Sequence, residues 1–141
     1  MGKINVGRLI LGGIVAGIVG DLLDIPVDGV WLSKMWSAQL GTYGFSMFSS
    51  SQMIWFNLFG IVVGLVAIWI YAGIRPRFGP GVRTAIYAGI AVWILAFLVP
   101  NFALMWVTHL FSGHLTAYTT MGAFLECVLG AIAGAALYKE D

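Results

Sequence analysis

The chain is poor in the residues that most soluble chemistry relies on. It has one cysteine, Cys127, which excludes an internal disulfide, a Cys-x-x-Cys redox pair and a multi-cysteine metal site. Charged residues make up only 9% of 141 residues, against about a quarter in an ordinary soluble domain. Neither sign prevails, because seven basic and six acidic residues leave a formal net charge of +1. There is thus no basic field for nucleic acid and no acidic tail. No Gly-rich phosphate loop, serine nucleophile elbow or zinc motif is present, so hydrolytic chemistry has no candidate constellation; whether the chain is an enzyme stays open, with the balance toward no and a metal-dependent membrane enzyme as a third reading. The sequence names no cofactor.

What fills the chain instead is apolar. Hydrophobic residues reach 60% and the mean hydropathy is +0.95, a membrane composition in a length suited to one domain, 1–141. Four long apolar runs, about 9–30, 53–74, 84–107 and 117–138, are each long enough as helices to cross roughly 30 Å of hydrocarbon at about 1.5 Å per residue. The first continues well past a signal-peptide core and lacks an Ala-x-Ala-like site, so it reads as a retained helix. The expected fold is all-α, an integral membrane four-helix bundle in contact with the lipid bilayer.

Orientation follows from the basic residues. Lys3, Arg8, Arg75, Arg77, Arg83 and Lys139 fall on one side of the four runs and Lys34 alone on the other. This bias predicts both termini in the cytoplasm. Trp31, Trp36, Trp55 and Trp106 stand near the outer helix ends, where amphipathic rings suit the interface. Between the first two runs, Val30 to Leu40 has the pattern of an interfacial helix, with Leu32, Trp36 and Leu40 on one side. With the Gly-, Ser- and aromatic-rich stretch after it, this segment reads either as a lid over the outer mouth or as an amphipathic loop resting on headgroups.

The connection Gly73-Ile74-Arg75-Pro76-Arg77-Phe78-Gly79-Pro80-Gly81-Val82-Arg83 is short and basic, and its prolines and glycines predict a break in the helix throughout. It reads mainly as a topology determinant and tight turn, secondarily as a clamp for lipid phosphates. The part from Tyr71 to Gly81 resembles a loop of small, uncharacterised four-helix membrane proteins of bacteria. That resemblance implies a bacterial inner-membrane protein and supplies no activity, cofactor or site residue.

The candidate site comes from acids placed where a hydrophobic solvent is expected. Asp21, Asp24 and Asp28 lie in the first run beside Pro26, and Glu126 lies in the fourth. A charge at the bilayer centre costs roughly 2.5 to 3.5 kcal/mol on insertion scales, so such residues mark an ion, proton or substrate route or bond one helix to another. Gly13, Gly17, Gly20, Asp24 and Asp28 are spaced four, three, four and four, and Gly122, Glu126, Gly130 and Gly134 are spaced by four. Each set shares one helical side, and small residues permit close backbone approach. Asp21 lies 13 residues after Arg8 and Glu126 lies 13 before Lys139, placing both about 20 Å from the basic side. The expectation is a deep Asp21–Glu126 pair that shares a proton or a cation, with Asp24 and Asp28 stepping outward.

Asn57 and Asn101, each 18 residues from an arginine, belong about 27 Å from that side and so to the outer layer. Pro26 and Pro100 remove the helical bonds to the carbonyls of Leu22 and Ala96. His109 and His114 bracket the short outer loop as loop histidines, with metal ligation beside Asp24 or Asp28 as an alternative. A haem between helices needs histidines inside the bundle, which these positions do not supply.

Two functions from different classes lead. One is a small outward-facing acidic pocket that binds or transports a proton, a cation or a small molecule. The other is an accessory or scaffold subunit whose polar stripe docks a partner helix. A homo-oligomer or a partner membrane subunit is compatible with both.

Overall fold

The computed structural model describes residues 3–46 and 48–140. The expected outer loop therefore includes Met47, which lies outside the described residues, as do positions 1, 2 and 141. Among the described residues there are helices and no strands. Four helices are long and apolar enough to cross a membrane: Val6–Trp31, Ser50–Phe78, Val82–Trp106 and Gly113–Leu137. They are called the first to fourth spans below. A fifth, short helix, Ser33–Gly41, follows the first span, close to the interfacial helix read from the sequence.

Local chemistry sets three of the four starts. The Asn5 side chain accepts from the Arg8 amide at 2.9 Å. Ser49 and Gln52 form a reciprocal capping box, and Ser112 accepts from the Leu115 amide at 3.3 Å. Each cap satisfies an amide that has no partner within its helix. The third span begins directly after Gly81.

The connection between the second and third spans departs from its expected form. The helix continues through Gly73 and Pro76 to Phe78. A proline this close to a helix end deletes one bond, to the Ala72 carbonyl, and the helix still closes with the Gly79 amide on the Arg75 carbonyl at 2.8 Å. The break falls later, at Gly79-Pro80-Gly81, where φ is +83° at Gly79 and +121° at Gly81, a region that glycine enters freely.

Pro26 and Pro100 mark changes of helical form. Ile25–Trp31 winds as a π-helix, with the Leu32 amide reaching the Val27 carbonyl at 2.8 Å. Ile94–Leu98 does the same just before Pro100. A proline that removes an α-helical donor makes the wider turn a natural local solution.

The first span packs against the second and the fourth, and the third packs against the fourth and the second. The fourth is the most enclosed: 44% of its most apolar stretch is buried, against 17 to 22% in the others. Small residues make that possible. A Cβ added at Gly12 would sit 2.6 Å from the Gly134 carbonyl oxygen, and one at Gly130 would sit 2.6 Å from that of Ala16. The outward faces carry large apolar side chains such as Leu22, Trp55, Phe59, Trp69 and Leu95, as lipid contact requires.

The end that carries most of the basic residues is tied by polar contacts. Arg75 pairs with Glu140 at 3.0 Å and lies over the Tyr138 ring. Tyr138 meets Tyr71 edge to face, and the Tyr71 hydroxyl accepts from the Gly81 amide at 3.1 Å.

Candidate functional site

The first span presents two registers, one residue apart. Gly13 and Gly17 face Leu65 and Ile61 of the second span, and Asp21 continues that line, its carboxyl pressed against Gly60. Gly12 and Ala16 face Gly134 and Gly130 of the fourth span, and Gly20 faces Glu126. A step of four drifts only about 40° around a helix, so 12, 16, 20, 24 and 28 form one stripe and 13, 17 and 21 form another. The single stripe read from the sequence joins parts of both.

This division decides which acids meet. Asp24, Asp28 and Glu126 each offer a carboxylate oxygen, and these oxygens all lie within 4.8 Å of one another. Asp21 is outside this group. It sits on the second-span register, so Glu126 converges with Asp24 and Asp28 where the sequence had suggested a deep pair with Asp21. Glu126 belongs to the face that Gly122, Gly130 and Gly134 turn to the first span, with Val27 lying over Gly122. That stripe follows its sequence reading.

Two features distinguish the oxygens of the cluster. Glu126 Oε1 is sealed from solvent and has no hydrogen-bond partner. Asp28 Oδ1 accepts from the Trp36 indole Nε1 at 2.6 Å. Trp36 belongs to the short helix Ser33–Gly41, and its ring also contacts Phe111 at 5.7 Å and Phe48 at 6.3 Å. Sequence reasoning placed Trp36 at the interface as an anchor and missed its bond to an acid. A bond between residues eight apart, on either side of a helix break, has no periodic signature.

The other candidates lie elsewhere. Asn57 is exposed and donates to the Met53 carbonyl of its own helix at 2.6 Å. Asn101 donates to Thr120 Oγ1 at 3.0 Å, and the Trp93 indole donates to the Thr120 carbonyl at 2.8 Å. Asn101 therefore ties the third span to the fourth. His109 and His114 are exposed, with His114 stacked on Tyr118. Among the described residues the group able to hold a metal contains neither histidine. Two clefts are apolar: one of about 190 Å³ between the second and third spans, lined by residues such as Val63, Val66 and Val92, and one of about 200 Å³ beside Trp55 and Phe59. Neither includes an acid.

Chemically, three carboxylates and no cation in the cluster make a site for a positive charge. Like charges this close repel, and a proton or a metal ion between them relieves the repulsion. Oxygen-only ligands suit hard cations of the calcium or magnesium type.

Fold and site define an all-helical protein with four helices able to cross a membrane and an acidic cluster between the first and the fourth. No family model, no curated protein and no solved structure matches the chain.

Proposed function

We propose that the protein is a small four-helix bundle of the bacterial inner membrane, with both termini in the cytoplasm, that binds a proton or a hard cation at Asp24, Asp28 and Glu126 and passes it along the first and fourth spans. The observation that carries this reading is the convergence of the three carboxylates around the unpartnered Glu126 Oε1. Intramembrane acids are costly, and a positive species among them compensates that cost. The six basic residues gathered at one end support the orientation.

Proteoliposomes test it. Ion-driven or proton-coupled flux is expected to collapse in Glu126→Gln and in Asp24→Asn, with a smaller change in Asp21→Asn, whose carboxyl turns to the second span. Unchanged flux in Glu126→Gln and Asp24→Asn together would overturn the reading.

A second reading is favoured by Asn57, exposed on the second span. Polar side chains on an outward face suit a partner helix or a second copy of the chain. In that case Asn57→Leu reduces the oligomer or releases a co-purifying subunit, and an unaltered assembly counts against it.

A further inference from the structure

The short helix Ser33–Gly41 has nine residues, too few to persist in water without anchors. Its anchors are few and can be named. Leu32, at its start, is 1% exposed. On one side the Trp36 indole donates to Asp28 Oδ1 at 2.6 Å. On the other, Gln39 uses both ends of its amide: Nε2 donates to the Leu110 carbonyl at 3.0 Å and Oε1 accepts from the Ser112 amide at 3.0 Å. The Tyr43 hydroxyl donates to the same Leu110 carbonyl at 2.6 Å. The helix is thus fastened to an acid of the cluster on one side and to the connection between the third and fourth spans on the other.

We infer that Ser33–Gly41 is a hinged cover over Asp24, Asp28 and Glu126, with Gln39 and Tyr43 as its latch and Trp36 as the contact that registers whether the site beneath is occupied. The latch bonds lie at the surface, where water competes for each partner, so the cover opens by local fluctuation without disturbing the spans. With the cover down, the indole N–H occupies Asp28 Oδ1. A cation held by the same carboxylate keeps the indole as the outer partner of its ligand, so occupancy and closure are linked reciprocally. The role given to the ion rests on the function proposed above. The cover itself does not.

Access of water to the carboxyls provides the test. A water-soluble carbodiimide with glycine methyl ester converts an accessible carboxyl to an amide that mass spectrometry locates. In detergent-solubilised protein, Gln39→Ala with Tyr43→Phe is expected to label Asp28 and Glu126 severalfold faster than the native chain, with Glu140 at the opposite end unchanged as internal control. A short bifunctional thiol reagent joining Gln39→Cys to Ser112→Cys is expected to slow that labelling severalfold, an opposite effect that a merely destabilised variant does not produce. Equal labelling rates in the native, unlatched and cross-linked proteins would overturn the cover. Calcium added to the native chain then separates the two ideas. Protection of Asp28 and Glu126 supports the linked ion site, whereas latch-dependent labelling with no protection by calcium and no flux leaves the cover standing and removes the ion.

Discussion

At the scale of single residues, polar groups divide between those that hold helices together and those that converge. Asn101 and Thr120 are of the first kind, a donor and an acceptor on different spans at 3.0 Å. Interhelical bonds in membranes average about 0.6 kcal/mol. We expect Asn101→Ala and Thr120→Val to show a coupling of about that size in a double-mutant cycle measured by unfolding in mixed micelles. The Trp93 bond to the Thr120 carbonyl survives either change, so additive effects would mean that the side-chain bond contributes nothing. The acids themselves were legible in the sequence because a carboxylate in an apolar run is conspicuous. Their partners were not. Trp36 reaches Asp28 across the break between two helices, and Thr120 offers a hydroxyl that looks neutral in any hydropathy scale.

At the scale of elements, the glycines do two different things that spacing alone does not separate. Gly64 is a contact: a Cβ there would approach the Gly17 Cα to 2.8 Å, backbone that cannot move aside. Gly73 lies in the same helix, and a Cβ there would meet nothing within 4 Å. Gly64→Ala is therefore expected to destabilise by about 1 to 3 kcal/mol through overpacking, while Gly73→Ala is neutral or stabilises by up to about 1 kcal/mol through helix propensity. Thermal unfolding in detergent checks the contrast, and equal midpoints for the two variants would contradict it. The number and order of the four spans were readable from hydropathy, and the fourth-span stripe was readable from its uniform step of four. The first-span stripe was only half readable, because the step of three from Gly17 to Gly20 crosses from the register that faces the second span to the one that faces the fourth. Asp21 and Asp24 then go to different neighbours, because a step of three in place of four changes the partner. Pro76 shows the opposite limit. A proline removes one bond and crowds the carbonyl four residues back, and Pro76 stands so near the end of its helix that only Arg77 and Phe78 follow it there.

At the scale of the whole molecule, the proposed orientation has a direct check that uses the chain's single cysteine as its own blank. Cys127 is 7% exposed and faces the interior of the helix packing, so an impermeant maleimide has little to react with in the native protein. Ser37 lies exposed on the cover helix and Val82 at the opposite end, 58% exposed. If Lys3, Arg8, Arg75, Arg77, Arg83 and Lys139 hold their end in the cytoplasm, Ser37→Cys is labelled in intact cells and Val82→Cys only after the inner membrane is opened. The reverse pattern would invert the molecule, placing the acidic cluster and its cover on the cytoplasmic side. Labelling of both positions in intact cells would instead indicate that the chain inserts in two orientations. The outcome bears on mechanism because the cluster is off-centre: Asp28 and Trp36 lie near the end opposite the six basic residues. A species reaching Glu126 from that end passes only the cover, whereas one leaving toward the basic end must pass the close contacts of Gly12 with Gly134 and of Ala16 with Gly130. Those small-residue contacts are the barrier that any transport cycle has to open. Cross-linking the first and fourth spans at that level, through cysteines placed at Ala16 and Ala135, which share one buried cluster, is therefore expected to abolish flux and to leave carbodiimide access to Asp28 unchanged.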